Sequence, residues 1–167
     1  NEFKQGLLRL SNDRKYDKAL EEQILKTICA IANVGSKSEG YIFIGVADKE
    51  ADAKHIQELD SILPVTISNH SIVGIDREAA VLGITLEDYC RRIVGFIKTS
   101  SLSDSLISSV LSNIDIIDYR SMSVIRIKVP PQTEISYYGD VVYERQYNNT
   151  VKVESPKAVM SIAKRFS

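Results

Sequence analysis

Two cysteines and two histidines are all the thiol and imidazole this sequence contains, too few thiols for a disulfide framework. Cys29 and Cys90 fall on the apolar or boundary sides of predicted helices, the setting of free thiols in a reducing compartment. His55 and His70 stand apart, without zinc-ligand spacing. No apolar run reaches the roughly 18 residues that span a bilayer. An excess of either charge is missing too: 21 Lys and Arg face 22 Asp and Glu, for a formal net charge of −1. No global positive field therefore draws in polyanions, and nucleic-acid binding requires a local basic face. No Ser/His/Asp or Cys/His set assembles a nucleophilic site. Repeats, low-complexity tracts and linkers are absent as well. These exclusions predict an intracellular, cytoplasmic chain with no membrane segment.

What remains suits one domain over residues 1–167, with 44% hydrophobic residues. The opening Asn-Glu-Phe-Lys carries neither methionine nor signal peptide, so the chain is expected to be a portion of a longer protein. Residues 17–48 organise it. Leu20, Ile24, Leu25, Ile28, Ile31 and Ala32 recur at helical spacing, behind an Asp17 N-cap. Gly35 ends that helix, and a polar loop leads to Gly40. Residues 41–46, apolar at nearly every position, predict a strand buried on both faces, with Asp48 at its mouth.

Further along, a helix is expected over 51–63, stopped by Pro64, and a short strand over 72–75. Thr85 and Asp88 resemble a capping box before an amphipathic helix reaching Lys98. Arg91 and Arg92 are ordinary surface charges of that helix. A shorter helix follows over 103–111. From Asn113 the period becomes two. Strands 114–119 and 123–129 pair across a turn, with Arg126 and Lys128 alternating against Ile125, Ile127 and Val129. A hairpin is predicted between 135–138 and 141–147, across Gly139-Asp140. A further turn at Asn148-Asn149 leads to a strand over 150–153, and a helix capped by Ser155 with Pro156 closes the chain. The fold class is α+β: a mixed, largely antiparallel sheet with helices packed against it.

The segments I-L-K-T-I-C-A-I-A-N and G-Y-I-F-I-G-V-A-D, within residues 24–48, resemble the signature of the Schlafen AlbA domain. Glu2-Phe3-Lys4 resembles that family's E-F-K opening. Tyr143-Glu144-Arg145, with Thr150-Val151, resembles its closing Y-x-R-x-x-x-x-T-V strand. The loop 34–40 departs from the family's run of glycines, and residues 49–112 carry no distinctive likeness. The resemblance implies a DNA- or RNA-binding module of a larger regulatory or defence protein. An effector domain in the same chain and a homodimer are the partners expected with it.

Two constellations could carry chemistry. Glu2 and Asp48, with Glu39 or Asp140 as further members, are carboxylates that could converge on a divalent ion for strand cleavage. By resemblance to RNA-cleaving Schlafen proteins, Glu2 and Asp48 match two acids of a three-acid site. The third falls five positions before Glu2. The enzyme so implied is a ribonuclease of tRNA or rRNA using Mg2+ or Mn2+; the plainer alternative makes both residues ordinary surface acids. The basic constellation is Lys4, Arg126, Lys128, Arg145 and Lys152, suited to phosphate. Tyr143, with Tyr137, Tyr138 and Tyr147, could stack on unpaired bases. Its alternative is a solvated sheet face. The 34–40 loop follows a helix instead of preceding one, so it lacks the helix N-terminus that makes a phosphate loop effective. A third reading keeps the fold as a protein–protein interaction domain.

Overall fold

The computed structural model describes residues 1–167. The chain runs β1 (Glu2–Lys4), α1 (Lys18–Ala32), β2 (Gly40–Ile44), β3 (Val46–Ala47), α2 (Glu50–Asp60), β4 (Val65–Ile67), β5 (His70–Ile72) and α3 (Asp76–Leu82). It continues with α4 (Leu86–Lys98), α5 (Asp104–Leu111), β6 (Ile114–Tyr119), β7 (Met122–Val129), β8 (Val142–Gln146), β9 (Asn149–Val153) and α6 (Pro156–Ala163). A four-stranded sheet has the order β1-β2-β7-β6, a three-stranded sheet the order β3-β5-β4, and β8 pairs with β9. Only β1–β2 is parallel; the other pairs are antiparallel. The architecture is α+β.

One face of the four-stranded sheet supplies the main core. Ile42 and Ile44 of β2 and Ile125, Ile127 and Val129 of β7 meet Ile24, Ile28 and Ile31 of α1. Tyr89, Ile93 and Ile97 of α4 and Leu106 and Val110 of α5 complete the cluster. The helical stripe expected in α1 is this contact. Its N-cap is Asp17, whose side chain accepts from the Ala19 N–H. The Thr85–Asp88 capping box on α4 is complete. No helix is long and apolar enough to cross a membrane.

The continuous strand expected over 41–46 is broken. Gly45 adopts a φ of 108°, which L side chains rarely take. Its N–H donates to the Lys4 carbonyl, and its own carbonyl accepts from Val73 and Gly74. The chain therefore leaves one sheet at Ile44 and enters another at Val46. Burial on both faces is likewise only half realised: Ile42 and Ile44 are buried, whereas Tyr41 and Phe43 are half-exposed on the far face.

Other expectations shift. Residues 135–138 form no strand, and the expected turn at Gly139-Asp140 closes only an isolated Tyr138–Val141 bridge. The longer hairpin is β8–β9, expected to turn at Asn148-Asn149 and turning one residue earlier, from Tyr147, whose φ is 57°. The strand expected at 72–75 ends at Ile72, and α3 follows it unforeseen, because its seven residues are too few to display a helical period.

α3 carries a buried ionic network. Glu78, fully buried, accepts N–H groups from Leu7 (2.7 Å) and Leu8 (3.0 Å) and the Tyr89 hydroxyl (2.5 Å). Arg77 donates to Asp60 (2.9 Å) and to the side chain of Gln5 (2.9 Å), while Arg14 also binds Asp60 (2.7 Å). Burial, with the negative Glu78 beside it, raises the Tyr89 phenol well above its ordinary value. The network fastens residues 5–14, and through them β1, to the body of the molecule. A Cβ on Gly6 would overlap the Glu78 carboxylate, so this backbone can approach only without a side chain.

Candidate nucleic-acid interface

Strand alternation divides β1 between two environments. In the parallel register Glu2 pairs with Ile42 and Lys4 with Ile44, so both point to the helix-bearing face. Phe3 pairs with Phe43 and points to the opposite one, where the two rings stack at 5.6 Å.

On the helix-bearing face, β1, α1 and the β8–β9 turn enclose a cleft of about 270 Å³. Its walls are Glu2, Lys4, Gln23, Lys26, Thr27, Arg145, Asn148, Asn149 and Thr150, without one apolar residue. Three cations stand against one carboxylate. Arg145 donates to Glu2 Oε2 (2.8 Å) and to Thr150 Oγ1 (3.0 Å), and Thr150 Oγ1 lies 3.2 Å from Thr27 Oγ1. Lys4 Nζ lies 3.8 Å from Glu2 Oε1. Lys26 Nζ has an aromatic neighbour, the Tyr143 ring, at 5.7 Å. The elements explain the convergence. Gln23, Lys26 and Thr27 share one side of α1 at i, i+3 and i+4. Tyr143, Arg145, Thr150 and Lys152 share one face of the hairpin by its register.

A second cleft of about 300 Å³ shares Glu2, Lys4 and Gln23 with the first and adds Asp48, Lys49 and Asp52. Glu2 and Asp48 therefore line a common space. Their oxygens are otherwise engaged: Glu2 with Arg145, and Asp48 Oδ1 with His70 Nε2 at 3.1 Å. No three His, Cys, Asp or Glu side chains gather closely enough to hold a metal ion. As arranged, this donor set does not make a Mg2+ or Mn2+ centre.

The expected basic surface splits. Lys4 and Arg145 meet in the cleft, with Tyr143 at its edge behind Lys26. Lys152 is more exposed and pairs with Glu154 (3.6 Å). Arg126 and Lys128 lie on the opposite face of the sheet, across from Phe43 and Tyr41. Arg126 binds Asp115 (2.9 Å) and covers the Tyr41 ring, and Lys128 pairs with Glu39 (3.3 Å). Asp140 belongs to neither cleft and lines a separate shallow pocket with Ser101 and Tyr137. Sequence reasoning missed Lys26, the one cleft cation without an acid partner. Its signal was available in the polar trio 23, 26 and 27 beside the α1 apolar stripe. Asn148 and Asn149 read only as turn residues, yet they line the cleft.

A family model described as Schlafen, AlbA_2 matches residues 1–154. No curated protein matches the chain, and no solved structure does.

Proposed function

The chain belongs to the Schlafen AlbA_2 family, and from that premise we propose that it is a nucleic-acid-binding module whose polar cleft takes the phosphate backbone. The observation that carries this reading is the cleft's composition. Lys4, Lys26 and Arg145 converge among amides and hydroxyls with no apolar lining. Guanidinium and ammonium groups neutralise phosphate, and the neutral donors fix its orientation. A chain of net charge −1 can bind a polyanion only through such a local concentration of cations.

Cleavage by Glu2 and Asp48 rests on a narrower observation, their presence in one cleft. Both carboxylates are held by cationic or imidazole partners, so binding is the reading the geometry supports best.

Lys26→Glu is the test. Lys26 is half-exposed and forms no ion pair, so its reversal leaves the fold intact, whereas reversing Arg145 would set two carboxylates together. Affinity for labelled RNA and DNA should fall for every sequence, and the salt dependence should flatten by about one unit of log–log slope. Unchanged affinity and slope for all ligands would refute the proposal.

A further inference from the structure

The outer face of the four-stranded sheet holds a feature that the cleft does not use. Where the β3-β5-β4 sheet folds over it, a groove of about 300 Å³ opens, with almost entirely apolar walls. Phe3, Phe43, Ile117 and Tyr119 line it on one side and Ile67 and His70 on the other. Its size is at the lower end of ligand pockets, roughly 300–1,000 Å³. The rings form a row: Tyr41 and Phe43 at 6.2 Å, Phe43 and Phe3 at 5.6 Å, Phe3 and His70 at 4.0 Å.

Two guanidinium groups lie over tyrosine rings of this face, Arg120 over Tyr119 and Arg126 over Tyr41. Arg120 is exposed, stacks on the Tyr119 ring at 5.6 Å and forms no ion pair. It occupies the tight turn between β6 and β7, where Arg120 and Ser121 have φ values of 47° and 68°. Arg126 is the cross-strand partner of Phe43 and pairs with Asp115. Its Nε is the sole buried side-chain nitrogen or oxygen without a hydrogen-bond partner.

We propose that this groove receives one unpaired base of a single-stranded nucleic acid, with a neighbouring phosphate on Arg120. A flat heterocycle gains from aromatic walls whatever its sequence, and a splayed single strand can deliver it while a paired base cannot. Ser68 among the lining residues offers a hydroxyl that a base edge can use, while His70 Nε2 is engaged by Asp48. An apolar peptide side chain would fill the walls but leave the Arg120 guanidinium, which forms no ion pair, without a role. This inference rests on the nucleic-acid reading above and adds to it a preference for unpaired strands.

The experiment measures the affinity of wild-type protein and variants for a labelled single-stranded RNA and for the same sequence as a duplex. Ile67→Glu and Arg120→Glu alter exposed groove residues, and Lys26→Glu alters the cleft. The sequence has no tryptophan, so Tyr119→Trp adds a single emitter to the groove wall. Both charge-altering groove variants should weaken single-strand binding roughly tenfold and leave duplex binding unchanged. The indole emission of the Tyr119→Trp variant should be quenched by the single strand and not by the duplex. If Lys26→Glu weakens binding while the groove variants bind the single strand like wild type and the indole stays unquenched, the groove proposal falls alone. If wild-type protein binds neither ligand, both readings fall. A concentration-dependent dimer that Ile67→Glu dissolves would make a second copy the occupant, and overturn the proposal as well.

Discussion

Glu2 brings a carboxylate into a cleft otherwise lined by cations, amides and hydroxyls, where it engages Arg145 at 2.8 Å and faces Lys4. Under the proposed function an incoming phosphate would displace it from Arg145, so binding would be an exchange of anions. Glu2→Gln removes the competitor. If that pair is worth on the order of 1 kcal/mol, affinity should rise about fivefold, measured by titration at fixed salt; an unchanged or weaker affinity would show that Glu2 assists the ligand. Cys29 makes a second prediction. Burial pushes its thiol up from 9.0 to about 11, with hydrogen bonds from its surroundings opposing the rise. Below pH 9 the thiol is neutral in folded and unfolded chains alike, and its contribution is fully present. Between pH 9 and about 11 only the unfolded chain loses the proton, so stability falls as pH rises. The loss amounts to about 3 kcal/mol at most. Melts from pH 8.5 to 11 should show a shallower decline in Cys29→Ala than in wild type, and parallel curves would refute the assignment.

At the scale of elements, α1 and β2 form the central contact. Ile44 is fully buried within a well-filled cluster, and Ile44→Ala should cost about 2–5 kcal/mol in urea unfolding. A cost below 1 kcal/mol would mean that the site collapses around the smaller side chain. This contact was legible in the sequence because Ile24, Ile28 and Ile31 repeat at a helical period and Ile42 and Ile44 at a strand period. The break at Gly45 was not, since a glycine inside an apolar run is compatible with either a straight strand or a joint. The choice is made by Lys4, Val73 and Gly74, which bind its backbone from distant parts of the chain. The strand expected at 135–138 failed for a related reason. Gly139-Asp140 does turn the chain, with a Gly139 φ of 62°, but the pairing there stops at Tyr138 and Val141, whereas the β8–β9 ladder is continued by Val142 and Val153 packing with Ile162. Site residues followed the same rule. Arg126 and Lys128 could be assigned to one face by alternation, but only the parallel β1–β2 register sets Lys4 on the other side of the sheet.

For the molecule as a whole, three cleft cations bound the electrostatic contribution. Full engagement by duplex DNA gives a log–log salt slope of about −2.7, and the internal Glu2 lowers its magnitude. A measured slope near −6 would require phosphate contacts well outside the cleft. The family match ends at residue 154, whereas Ile162, Val159 and Phe166 pack on Val142 and Val153 and Arg165 donates to the Asn33 carbonyl at 2.9 Å. Removing residues 155–167 should therefore lower the melting temperature and loosen the hairpin that carries Arg145, detectable as faster amide exchange in β8 and β9. β1, finally, is three residues long and belongs to both faces: Glu2 and Lys4 face the cleft, and Phe3 faces the groove. A strand so short cannot move on one side alone. Occupants of the two faces, under the two proposals, would be coupled through it, and whatever factor the first changed the affinity of the second, the second would return to the first.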